Sequence, residues 1–204
     1  MKKIILSLAL VIATTTAFSQ VEFNPGVRLG VNQSKITNSE LEAKTGLYAG
    51  LFANIQFTDF YALQPEITYS NQGGKSDING VDDLNIHYVS VGVANKFFVV
   101  KDLGLHIIVG PSIDLNFEDN WINLINDDGD IDITPIDFTI FGGVGYEFPF
   151  GLSIEARYKH GLLDLDTDDN SYYDTNGNYQ YYNYDDNQLN AVFQIGVSYK
   201  FNFK

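Results

Sequence analysis

The chain has no cysteine, and only one methionine, one tryptophan and five prolines among its 204 residues. Without cysteine there is no disulfide framework, no thiolate metal site and no N-terminal cysteine to acylate. Basic residues are scarce, 12 Lys and Arg against 26 Asp and Glu, for a formal charge of −14. No basic face is available for a phosphate backbone, so nucleic acid is excluded as a partner. After residue 19 no apolar run approaches eighteen residues, so no spanning helix is expected. That part of the chain also lacks a 3.6-residue apolar period. No Gly-x-Ser-x-Gly elbow, P-loop or zincin motif occurs. The histidines are three, His87, His106 and His160. Only His160 with Asp164 suggests a catalytic pair, and each imidazole reads more simply as a hydrogen-bonding residue. The chain is therefore expected not to be an enzyme.

What is present is organised. Lys2 and Lys3 precede the apolar run Ile4–Ala13, and "TTTAFSQ" supplies small residues Ala17 and Ser19. This is the pattern of a secretory signal cleaved between Ser19 and Gln20. It implies a leader over residues 1–19 and one domain over 20–204. Losing the leader's two lysines leaves 10 basic against 26 acidic residues, a charge of −16. Aromatics at 14% argue against a disordered acidic chain.

Period-two alternation dominates the rest, punctuated by Gly, Asn, Asp and Pro. It predicts eight strands: Pro25–Lys35, Thr45–Phe57, Ala62–Gly73, Leu84–Val99, Gly104–Phe117, Thr134–Phe148, Gly151–Leu163 and Gln188–Asn202. Most hold at least ten residues, longer than the usual five or six, and about nine to eleven suffice to cross a bilayer core. The connections alternate in length. Ile36–Lys44, Lys75–Asp83, Glu118–Ile133 and Asp164–Asn187 are long and polar, whereas "TDFY", "VKDL" and "PF" are tight. In an up-and-down meander the long ones share one end, the arrangement of outer-membrane barrels. The fold class expected is an all-β, eight-stranded antiparallel transmembrane barrel.

One face of these strands is apolar and uncharged, as in Ala191, Phe193, Ile195, Val197, Tyr199, Phe201 and Phe203 of the last strand. The other carries Arg28, Glu66, Lys96, His106, Asp114, Glu147, Glu155, Arg157, Lys159 and Lys200, among glycines 30, 50, 92, 110, 143, 145 and 196. A soluble lipocalin-like carrier would turn the apolar face inward. Three features favour the reverse. The polar face is small and Gly-rich, as the cramped lumen of eight strands requires. Its charges nearly cancel, five basic against four acidic, as buried charges must. Aromatics crowd the short-turn end (Phe57, Phe60, Tyr61, Phe97, Phe98, Phe148, Phe150, Phe201, Phe203) like an interfacial girdle. The polar set then forms a charge network that plugs the lumen, since eight strands leave room only for side chains; a narrow channel is the competing reading.

The stretches "NPGVRLGVNQSKI", "GLYAGLFANIQF", "LQPEITYSNQGG" and "FQIGVSYKFNF" together resemble the small eight-stranded outer-membrane β-barrels of Gram-negative bacteria. The architecture is that of the OmpA and OmpX barrels, and the sequence style that of porin-family, PorT-like members. The resemblance spans the mature chain and implies outer-membrane location, contact with membrane lipid and lipopolysaccharide, and insertion by the barrel-assembly machinery. An aromatic near the C-terminus belongs to the signal that machinery reads. Phe201 and Phe203 match loosely, and Lys204 departs from a terminal aromatic. The PorT-like style also implies an accessory role in envelope transport or secretion, whereas composition alone suggests a surface-interacting or envelope-stabilising barrel.

Two connections hold half of the acids. Glu118–Ile133 has six and Asp164–Asn187 seven, with no basic residue in either. Asp128, Asp130, Asp132, Asp166 and Asp168 are oxygen donors suited to Ca²⁺, although the spacing is not that of an EF-hand. Solvated surface loops are the plainer reading. The last connection also carries six of the thirteen tyrosines around "TNGN". Asn-Gly favours a hairpin. Tyr172, Tyr173, Tyr179, Tyr181 and Tyr182 beside Asn and Ser resemble the mixture of adaptable recognition surfaces, for a surface ligand or secretion partner that the sequence does not name.

Overall fold

A computed structural model describes residues 21–39, 41–76, 83–100, 103–117, 136–165, 171–173, 179–181 and 188–202. The proposed leader lies outside them. The strands are β1 (Glu22–Ile36), β2 (Glu42–Gln56), β3 (Tyr61–Lys75), β4 (Leu84–Phe98), β5 (Leu105–Asn116), β6 (Ile136–Glu147), β7 (Leu152–Gly161), β8 (Ser171–Tyr173), β9 (Tyr179–Tyr181) and β10 (Asn190–Lys200). Eight of them close in the order β1-β10-β7-β6-β5-β4-β3-β2, and β8 pairs with β9 as a separate ribbon. Every barrel pairing is antiparallel. Eleven cross-strand partners, from Gly26↔Lys200 to Ile36↔Asn190, join the first strand to the last. Closure matters because an open edge would leave backbone groups unpaired in hydrocarbon.

The eight predicted strands are all present, within a few residues. The largest difference is at the first outer connection. β1 and β2 run on past Lys35 and before Thr45, so the loop shrinks to residues 37–41. Thr37 fastens the shortened loop. Its N–H donates to the Leu189 carbonyl at 2.8 Å, and its hydroxyl accepts from the Leu189 N–H at 2.9 Å. These bonds tie the loop to the start of β10.

The tight turns have local causes. Thr58 Oγ1 accepts from the Phe60 and Tyr61 N–H groups at 3.3 and 3.0 Å, a hydroxyl-stabilised turn. In Phe148–Gly151, Pro149 presets one backbone angle and Gly151 takes φ +93°, as a glycine-terminated hairpin turn requires.

The apolar stripe faces outward. Leu51 is 64% exposed, and Val91, Ile107, Ile140 and Ile195 stand out beside it, while Arg157 is 2% exposed. At the short-turn end Phe57 stacks on Tyr61 at 5.9 Å, Tyr61 meets Phe97 at 5.3 Å and Tyr199 meets Phe201 at 5.3 Å. Phe98 is a correction to the expected girdle. It follows Phe97, so alternation turns it inward, buried against His106 at 5.1 Å. Phe203 lies outside the described residues. Asn95 is a polar residue on the outer face, and both ends of its amide are engaged. It accepts from the Tyr61 hydroxyl at 2.9 Å and donates to the Val109 carbonyl at 3.2 Å. The β4–β5 ladder breaks beside it, between Gly92↔Ser112 and Asn95↔Val109, where Pro111 has no N–H to give.

Candidate functional site

The inward residues build the site. Glu66 on β3 receives Arg28 Nη1 from β1 and Arg157 Nη1 from β7, both at 2.7 Å from Oε1. Glu155 on β7 receives Arg157 Nη2 at 2.9 Å and Lys96 Nζ from β4 at 2.7 Å. Arg28 Nη2 lies 3.9 Å from Glu155, and His106 Nε2 3.7 Å. Two carboxylates thus hold three cations drawn from three different strands around the wall. Aromatic faces back the cations: Tyr48 lies 5.0 Å from Arg28, Phe141 5.2 Å from Arg157 and Phe52 5.8 Å from Lys96.

The inward glycines make room for these groups. A Cβ at Gly26 would strike Phe52, one at Gly196 Tyr48, and one at Gly143 Arg157. The Gly-rich face and the large inner side chains are therefore two halves of one packing solution.

A second cluster lies toward the outer end. Lys159 Nζ meets Asp114 Oδ2 at 2.6 Å and donates to Ser90 Oγ at 3.1 Å. Asp137, opposite Asp114 in register and fully buried, accepts from the Leu162 and Leu163 N–H groups at 3.3 and 3.2 Å. This holds the strap that leaves β7. The strap carries Leu165 into an apolar cluster with Ile36, Ile86 and Tyr88 over the outer mouth. Lys200 pairs with Glu147 at the short-turn rim, apart from both clusters.

Asp137 was not among the expected lumen charges, although alternation from Phe138 and Ile140 places it inward. With it, five carboxylates face the lumen and rim among the described residues: Glu66, Asp114, Asp137, Glu147 and Glu155. Lys44 was also missed. A register shift between Ala43 and Tyr48 swings it across β3, to the Leu84 carbonyl at 3.1 Å and to Asn85. No sequence signal marks that bulge.

Little space remains inside. A cavity of about 20 Å³ lies among Arg28, Glu66, Thr68, Ser90, Arg157 and Gln194, room for roughly one water. Among the described residues no three His, Asp or Glu are grouped to hold a metal. Asp128, Asp130, Asp132, Asp166 and Asp168 lie outside the described residues, as do Tyr182 and the side chains of Tyr172, Tyr173, Tyr179 and Tyr181. The backbone ribbon Ser171–Tyr173 with Tyr179–Tyr181 does bracket "TNGN" as a hairpin.

A family model described as the outer membrane protein beta-barrel domain matches residues 18–167. The chain belongs to the outer-membrane β-barrel family. The match ends before β10, the strand that closes the ring in the structure. As a member of this family the protein lies in the outer membrane, with its apolar stripe in lipid. Solved barrels share the fold. Ail, the attachment invasion locus protein of Yersinia pestis, in a phospholipid bilayer nanodisc has 12% identity and a TM-score of 0.52, over 88% of this chain and 100% of that one. Ail in complex with the heparin analogue sucrose octasulfate has 14% identity and a TM-score of 0.50, over 88% and 99%. Neisserial surface protein A (NspA) has 12% identity and a TM-score of 0.48, over 89% and 99%. No curated protein matches the chain.

Proposed function

We propose that this outer-membrane barrel is a non-enzymatic surface protein, with a lumen that serves as a structural plug and outer connections that meet a basic partner. The observation that carries the reading is the closed centre. Glu66 and Glu155 bind Arg28, Arg157 and Lys96 across the lumen, beside a cavity of only about 20 Å³. A solute path would have to break several buried ion pairs, so a channel is the weaker reading. Specificity then resides at the outer end, where two connections hold thirteen acids and no base. Ail has been seen with a polyanion, sucrose octasulfate. Here the charge has the opposite sign, which favours a cationic protein surface, or divalent ions bridging to lipopolysaccharide. An envelope secretion component with a basic face would satisfy the same chemistry. Assembly by the barrel-insertion machinery fits any of these.

The test has two arms. Planar-bilayer recording of the purified barrel is expected to show no stable conductance, and a reproducible open level would overturn the plug. Cells displaying the protein are expected to retain a cationic fluorescent probe in low salt and to release it in high salt. Replacing residues 166–187 with a short Asn-Gly turn is expected to abolish most of that retention. Unchanged retention would remove the loops from the function.

A further inference from the structure

The small cavity in the lumen is walled by donors. Arg28, Arg157 and Lys159 all border it, together with the hydroxyls of Thr68, Ser70 and Ser90. Two of these hydroxyls are oriented by what they already accept. Ser70 Oγ accepts from Asn32 Nδ2 at 2.8 Å and from Gln72 Nε2 at 3.0 Å, and Ser90 Oγ accepts from Lys159 Nζ at 3.1 Å. Each keeps its own proton to give. Thr68 Oγ1 is buried with no hydrogen-bond partner among the described residues. Arg28 Nη2 is in the same position, with Glu155 standing off at 3.9 Å.

Acceptors are scarce by comparison. Glu66 is the one carboxylate in the wall, and both its oxygens are engaged. Its Oε1 takes Arg28 and Arg157, and its Oε2 takes Gln64 Nε2 at 3.0 Å. Charge leans the same way. Arg28, Arg157 and Lys96 share only Glu66 and Glu155, which leaves one positive charge over. Lys159 is matched by Asp114, and neither Asp114 nor Asp137 belongs to the wall. A buried charge without a counter-charge is costly. A water in this space would bring two more protons to a site short of acceptors. An anion brings none, and it offsets the surplus charge.

From this arrangement we infer that the central cavity is a binding site for a small monovalent anion, chloride in ordinary salt. The anion sits among the free protons of Thr68, Ser70 and Ser90 and beside the Arg28 guanidinium, and it completes the neutralisation of the plug. The volume of about 20 Å³ admits a single atom and excludes phosphate or sulfate. The site does not depend on what the outer connections bind, since none of its residues belongs to them. Nor does the absence of conductance establish it, because a closed lumen need not hold an ion.

The test uses the full barrel refolded into phosphatidylcholine vesicles, so that the ion is trapped as the ring closes, with bromide as the probe. In about 50 mM sodium bromide the urea-unfolding equilibrium constant is expected to be about tenfold smaller than in gluconate at the same ionic strength, as a site about 90% filled requires. Crystals grown in bromide are expected to show one anomalous peak between Arg28 and Ser90. Gln194 borders the same cavity, and Gln194→Glu places a fixed negative charge there at almost unchanged volume. That variant is expected to lose the bromide dependence. Thr68→Val, which removes one donor and keeps the shape, is expected to reduce it severalfold. Heat-modifiable migration on a denaturing gel shows that each variant is closed. General ion effects act on all three proteins alike, so the difference between them isolates the site. Wild type equally stable in bromide and gluconate would overturn the proposal, and so would bromide dependence unchanged in Gln194→Glu or Thr68→Val, or crystals with no bromide in the lumen.

Discussion

The two faces of β7 make the sharpest contrast in the molecule. Ile154, Ala156 and Tyr158 face lipid, while Glu155, Arg157 and Lys159 alternate with them and are all but fully buried in the lumen. The outward side chains are nearly interchangeable, because lipid has no shape to match. The inward ones are each defined by partners on other strands: Glu155 by Lys96 and Arg157, Arg157 by Glu66, Lys159 by Asp114. Polarity in this barrel is thus the inverse of a soluble one. Specificity of packing resides with the charges, and the apolar residues set only which side meets the solvent.

The largest effect that sharpens the contrast should come from Glu155→Ala. Removing one carboxylate strands Lys96 and loosens both arginines, so about 3–5 kcal/mol of stability should be lost. Urea unfolding in phospholipid vesicles measures it, and a loss under about 1 kcal/mol would mean that the network does not hold the barrel. Next comes the outer face. Ile195 is mid-strand and half-exposed to lipid. Ile195→Arg should cost about 2–4 kcal/mol, and Tyr199→Arg near the rim about 0–1 kcal/mol. Equal costs at the two depths would break the assignment of this face to the membrane. Third is Gly145→Ala. Its Cβ would press on the His106 ring and on Glu155, for about 1–3 kcal/mol. Trimming His106 to Ala in the same chain should recover part of that, a coupling that a double-mutant cycle reads directly.

Why the fold was so legible follows from the same contrast. Lipid on one side and a tight lumen on the other impose period two on every strand, without the exceptions that a shared soluble core permits. Strand count, ring closure and the outward set, Leu51 through Ile195, could all be read from alternation. Alternation also places Asp137 inward, opposite Asp114. The pairings were not legible. That Arg157 would hold Glu66, ninety-one positions away, depends on ring order and register rather than on spacing. Lys44 depends on a bulge. Phe98 shows the opposite error. Its proximity to Phe97 along the chain suggests a place in the girdle, although adjacent residues in a strand cannot share a face.

The smallest effect should come from the ion pair at the short-turn rim, and it is the one that separates position from pairing. Lys200 and Glu147 are in direct contact, as close as any pair in the centre. If contact alone fixed the energy, Lys200→Met would cost as much as losing Glu155. The rim pair differs in two respects. Its side chains keep 18% and 14% of their exposure, against 2% for Lys96 and Glu155, and neither holds a second charge among the described residues. When one partner is removed, water can reach the other, so no stranded charge remains. Lys200→Met should therefore cost under about 1 kcal/mol. The wild-type advantage should shrink further between 0.05 and 0.5 M salt, whereas the Glu155→Ala deficit should be insensitive to salt. A rim loss as large as the central one would show that the barrel is equally dry from end to end, and that depth in the lumen is not what makes its charges count.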